Sequence, residues 1–186
     1  ALFEIIPKID HNNNILEDIL LLGTTDAEDQ FDMRFLGPIK QGASAHYARK
    51  DGELIAIVLP AVAPDGYTTN IDLIVGIYPN GNLAGVRVVS HKETPGLGDK
   101  IELAKSNWIK DFDNKSLIQP LPEKWKVQKD GGDFDQFTGA TITPRAVVNA
   151  VNRALVFFNK HKNVLLAHPA PITKQAIELS EVTHGN

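Results

Sequence analysis

The chain reads as an α+β domain: an antiparallel, hairpin-rich sheet with helices packed on it. Three observations predict this. Runs of apolar residues in strand-like alternation are split by Asp51-Gly52 and again by Asn80-Gly81, both two-residue hairpin signals. Two later stretches, 100–112 and 144–160, carry apolar residues at helical spacing. With 186 residues, 42% of them hydrophobic, the chain can bury one full core.

Taken in order, 5–36 mixes Asn, Asp and Glu with scattered Leu and Ile, and LEDILLLG within it predicts a short helix closed by Gly23. AHYARK, ELIAIVL, IDLIVGIY and LAGVRVVSH then predict four strands between 45 and 91. The longest apolar run, 54–63, contains Pro60 and is too short to span a bilayer, so it reads as a buried strand and its exit. Ile101, Ala104, Trp108 and Phe112 predict an amphipathic helix over 100–112. A loop with Pro120 and Pro122 leads to a strand around WKVQK. The last clear helix, 144–160, has an apolar stripe of Val147, Val151, Ala154, Leu155 and Phe158, with Thr143 as N-cap and Pro144 at the first helical position. These elements divide the chain into an N-terminal extension (1–41), a central domain (42–166) and a C-terminal tail (167–186).

Composition narrows the function. A net charge of -4 and a pI near 5.8 leave no basic excess for nucleic acid. The absence of cysteine excludes disulfides, thiolate chemistry, cysteine-held zinc and iron–sulfur clusters. A chain of this kind that carries electrons must borrow a cofactor. The histidines include no pair at metal-ligand spacing, so no metal is expected, and there is neither a G-x-S-x-G nor a P-loop. GLGDKI lacks the third glycine of a dinucleotide fingerprint and comes after hairpins rather than a βαβ unit.

Two stretches remain. In DQFTGATIT (135–143), Thr138, Thr141 and Thr143 offer hydroxyls beside the small Gly139 and Ala140, directly ahead of a helix. A helix start has unpartnered amides and a partial positive charge, which suits a phosphate. The same residues also fit a plain strand-to-helix turn. In HKETPGLGDKIE (91–102), Pro95-Gly96 fits a type II turn, and Asp99 can start the next helix.

Together, ETPGLGDKIE and DQFTGATITPRAVV resemble the FMN-binding domain of the RnfG and NqrC subunits of membrane-bound, ion-pumping electron-transfer complexes, and look more like RnfG. Asp135, Thr138, Gly139, Ala140 and Thr141 match that family's flavin-attachment signature. The resemblance implies FMN joined through its phosphate to the Thr141 hydroxyl by a separate, magnesium-dependent flavin transferase that uses FAD and recognises the signature. It places Thr138, Gly139, Ala140, Ile142 and Thr143, and from the other stretch Glu93, Thr94, Gly96, Leu97 and Lys100, around the cofactor, with Glu93 or Thr94 bonding the ribityl chain or ring edge. No catalytic residue is implied: the chain alone is an electron carrier, working with the other subunits of an Rnf-type complex. It further implies a single N-terminal membrane anchor upstream of Ala1 in the bacterial inner membrane, with this domain on the periplasmic side. An NqrC-type subunit of a sodium-translocating NADH:quinone reductase and a flavin-free binding module are the alternatives.

Overall fold

The computed structural model describes residues 1–7, 10–172 and 174–185. Its centre is a five-stranded antiparallel meander, in which strands sit side by side in chain order: β1 (Ile19–Leu21), β2 (Ser44–Lys50), β3 (Glu53–Ala63), β4 (Ile71–Ile77) and β5 (Leu83–Ser90). The α+β reading therefore holds, as do all four strands expected between 45 and 91. Asp51 (φ 52°) and Gly52 (φ 82°) both take the left-handed conformation that a tight hairpin between right-twisted strands needs.

The run 54–63 is continuously apolar because both faces of β3 are covered. Ile57, Leu59 and Ala61 join the main core with Val147, Val151 and Phe158 of helix α3 (Ile142–Lys160), while Ala56 and Val58 join a smaller cluster with Ile5, Ile6 and Ile15. The first residues, including helix α1 (Leu2–Ile5), thus close the sheet's second face. Pro60 pairs with Ile74, and pairing of β3 with β2 ends at Val58, so the missing amide falls where β3 has β4 alone beside it.

Three expectations fail. LEDILLLG is a turn followed by β1, not a helix. Asp18 there is buried as the acceptor of Arg49 Nε (2.8 Å) and Asn13 Nδ2 (3.0 Å), while its carbonyl accepts the Tyr47 amide (2.8 Å). Those tertiary bonds outweigh local helix preference. The 100–112 stretch forms two short 3₁₀ turns, Gly98–Ile101 and Trp108–Phe112. Ile101, Trp108 and Phe112 are buried as the spacing requires, but Ala104 is exposed, and Ser106 Oγ accepts the Trp108 amide (3.0 Å), diverting the backbone from a continuous helix. Among the described residues WKVQK has no strand beside it to form a ladder with and makes one isolated bridge, Val127 to Phe134. What holds it is aromatic packing, with Phe112, Trp125 and Phe134 ring centroids 4.9–6.2 Å apart.

After a short helix α2 (Thr25–Gln30) early in the chain and α3 later, α4 (Lys162–Ala167) is tied back to the sheet by Tyr47 Oη donating to the Leu165 carbonyl (2.8 Å). Arg49 adds a second tie, to the His168 carbonyl (2.8 Å). The tail beyond carries α5 (Lys174–His184), exposed over 177–184. Among the described residues no helix is long and apolar enough to cross a membrane.

Candidate functional site

The two unusual stretches meet. Each contains a turn of the same design. In the first, the Leu97 amide donates to the Thr94 carbonyl (3.1 Å) with Gly96 at φ 77°, the expected type II turn. In the second, the Ala140 amide donates to the Phe137 carbonyl (3.1 Å) with Gly139 at φ 76°. A β-carbon on Gly139 would sit 3.8 Å from Leu97 Cδ2, so Leu97 lies over the second turn.

Between them is a cavity of about 310 Å³, the lower end of the range for small-molecule sites. Thr94, Leu97 and Gly98 form one wall, the stretch 139–143 another, and Tyr67 from the β3–β4 loop a third. Three lining residues, Tyr67 (68% exposed), Leu97 (41%) and Ile142 (43%), present apolar surface to an open cleft rather than to the core.

The polar end is the start of α3. Thr141 is its N-cap, but in helical conformation (φ -76°, ψ -32°), and its side chain makes no capping bond. Thr143, expected to be the cap, lies instead inside the first turn, buried, with its hydroxyl donating to the Glu93 carboxylate. That hydroxyl is committed before it can cap, and α3 begins earlier than the proline suggested. The first turn itself contains no acidic residue, and the Glu93 carboxylate bonded to Thr143 lies on its protein side, outside the cleft. Arg145, one turn in, is held by Asp130 through two bonds (2.6 and 2.9 Å). Its guanidinium keeps the Asp130 carboxyl below the ordinary carboxylate range, and Asp130 raises the Arg145 pKa in return.

Thr94, Leu97, Gly139, Ala140, Thr141, Ile142 and Thr143 therefore line one cavity. Gly96, Lys100, Asp135 and Thr138 stand outside it; Asp135 accepts Trp108 Nε1 at its carbonyl (2.9 Å), and Thr138 is exposed. Glu93 is buried behind the wall, its carboxylate taking the amides of Tyr67 and Thr68 (3.1 Å each) as well as the Thr143 hydroxyl. It faces the protein, not the cleft. Tyr67 and Gly98 are lining residues that no sequence pattern marks: Tyr67 is one aromatic in a polar loop, and Gly98 reads as a flexible point.

Small residues at an uncapped helix start, next to apolar walls, suit a ligand with an anionic phosphate at one end and a flat ring at the other. A flavin mononucleotide is such a ligand. Residues 66–156, which contain every residue of the cleft, match the family described as FMN-binding domain. The similarity extends beyond that segment: the chain is 47% identical over 170 residues to the G subunit of the ion-translocating oxidoreductase complex of Shewanella piezotolerans, covering 91% of this chain and 76% of that protein. The corresponding G subunits of Pseudomonas aeruginosa (48% over 167 residues; 90% and 74% covered) and Vibrio cholerae (45% over 175 residues; 94% and 79%) are similarly close. The chain belongs to this G-subunit family of FMN-binding domains. The crystal structure of Shewanella oneidensis NqrC shares the architecture, with a TM-score of 0.53 and 25% identity over 69% of this chain and 66% of that one.

Proposed function

We propose that this protein is an electron-transfer subunit of an Rnf-type ion-translocating oxidoreductase complex, carrying FMN in phosphoester linkage to Thr141. The observation that carries the reading is the Thr141 side chain: at the mouth of the cleft, half-buried, on the helix start and free of capping duty. Family membership and the relatives' description as complex subunits support the rest.

The bound flavin would supply the electron chemistry, taking up and releasing electrons at its ring. The chain's own residues bind and orient. The free amides at the start of α3 and its macrodipole favour the phosphate charge, Gly139 and Ala140 let the backbone approach it, and Leu97, Ile142 and Tyr67 bound the space for the ring. Thr94 is the exposed hydroxyl within reach of the ribityl chain on this reading. Among the described residues no carboxylate or histidine lines the cleft to activate Thr141, which agrees with attachment by an outside flavin transferase. Such an enzyme would transfer the FMN moiety of FAD to the hydroxyl, releasing AMP and the hydroxyl proton. Asp135, Thr138 and Gly139 are exposed around it and available for recognition. A single-pass anchor preceding Ala1, and a periplasmic position for the domain, complete the proposal.

Identity of 45–48% to the G subunits, against 25% to NqrC, favours the Rnf-type assignment over the quinone-reductase one. The test is intact mass and in-gel flavin fluorescence after denaturation, on protein co-produced with a flavin transferase, beside Thr141→Ala. Expected is a mass gain of FMN less water in the native protein and none in the variant. A native chain that stays dark while a known acceptor in the same cells is labelled would leave a flavin-free module.

A further inference from the structure

We infer that Glu93 is a positioning residue: it clamps together the three walls of the cleft and thereby sets the place of Tyr67 against the ring, an inference that rests on the flavin reading above. One carboxylate takes three donors from two other segments. Oε1 accepts the Thr68 amide, and Oε2 accepts both the Tyr67 amide and the Thr143 hydroxyl. The β3–β4 loop, the 91–98 loop and the start of α3 are thus joined at one buried group that does not itself touch the cleft.

The surroundings are built for this. A β-carbon on Gly98 would lie 2.7 Å from Thr143 Oγ1 and 3.0 Å from Glu93 Cβ, and one on Gly66 would lie 3.0 Å from Glu93 Oε1. A side chain at Gly98 would collide with the clamp, and one at Gly66 would press on it while clashing with the Thr69 carbonyl 2.2 Å away. The backbone leading to Glu93 is fixed as well: its amide donates to His91 Nδ1 (2.9 Å), which leaves the proton on His91 Nε2 for the Glu102 carboxylate (2.5 Å). Tyr67, by contrast, is 68% exposed, so little of its side chain is covered by the protein. Its backbone bond to Glu93 is what keeps it at the cleft.

Chemistry makes the group hard to replace. Glutamine has the same shape, but it offers one acceptor oxygen and one amino group. Whichever way it turns, the amino group faces a backbone amide, and Tyr67 or Thr68 loses its acceptor.

The test uses Glu93→Gln and two milder variants, Thr143→Val, which removes only the hydroxyl, and Thr143→Ser, which keeps it. The first readout needs no flavin. Amide hydrogen exchange at Tyr67 and Thr68 is expected to quicken about tenfold or more in Glu93→Gln. The second is visible circular dichroism of the flavin-labelled proteins, which reports the ring's asymmetric surroundings: Glu93→Gln and Thr143→Val are expected to change the band and Thr143→Ser to restore it. Native exchange at both amides together with a native band in Glu93→Gln would overturn the inference. So would variants that lose thermal stability while the band stays native, since Glu93 would then be merely structural. If Glu93→Gln does not fold, the Thr143 pair decides by the same criterion. Failure of the native protein to take flavin would sink the functional reading instead, while the exchange experiment would still show whether the clamp holds the Tyr67 loop.

Discussion

Gly98→Ala isolates the closest contact behind the cleft. Gly98 is not in the left-handed region, so alanine meets no backbone strain there and even gains about 0.4–1 kcal/mol by restricting the unfolded chain. Against that, its β-carbon would lie 2.7 Å from Thr143 Oγ1, 3.0 Å from Glu93 Cβ and 3.3 Å from Thr143 Cβ. Neither neighbour is the far end of a flexible side chain, so relief requires moving the start of α3 or breaking the Thr143 bond to Glu93. Overpacking of this kind costs roughly 1–3 kcal/mol, and stranding a buried polar group adds about 1–3 kcal/mol. The net expectation is a loss of about 3 kcal/mol, a fall in Tm of roughly 6–12 °C for a chain of this size. Urea and thermal unfolding measure it. The control is Gly96→Ala, which meets nothing within 4 Å but is held at φ 77°, and should cost only the left-handed penalty of about 1–2 kcal/mol. A Gly98→Ala protein as stable as the native one would refute the reasoning, because the packing would then yield without cost.

Two further outcomes are expected. Arg49→Met leaves Asp18 buried and without its cation, which should lower stability by about 3–5 kcal/mol in urea unfolding; adding Asp18→Asn, which removes the stranded charge, should recover part of the loss. At the C-terminus of α3, His161 Nε2 accepts the Asp32 amide (3.0 Å), so the folded protein holds the ring neutral, and burial, first, together with Lys160 lowers its pKa. The unfolded histidine takes its proton near pH 6.5 and the folded one only at lower pH. This contribution is therefore complete above about pH 6.5 and lost as the pH falls through the folded value. Urea midpoints at pH 7.5 and 5 should differ less in His161→Gln than in the native protein, and an unchanged difference would assign the pH dependence elsewhere.

How much was legible depends on the range of the forces. The central hairpins were readable because turn residues and period-2 strands are adjacent in the chain, as at Asp51-Gly52. LEDILLLG misled because Asp18 answers to Arg49, 31 residues away, and the 100–112 stretch because Ser106 diverts the backbone between buried side chains that are correctly spaced. The site shows the same division. Thr141, Gly139 and Leu97 belong to turns written in contiguous residues, which is what marks them as candidates in the sequence. Tyr67 joins the cleft through a bond across 26 residues, and Thr143 meets Glu93 across 50, so neither Tyr67's presence nor Thr143's commitment could be read locally.

The separation of the cleft's walls has a consequence for the order of events in the cell. The meander needs pairing only between consecutive strands, all of them within the first ninety or so residues. The cleft needs more: it draws on residues 67, 94–98 and 139–143, and its last wall is the first turn of a helix that must be synthesised and docked on the sheet. Until then Thr141 is one hydroxyl among many on an unfinished chain. Any modification that depends on the shape around that hydroxyl is confined to protein that has completed folding, so a label on Thr141 would double as a record that the domain was correctly made.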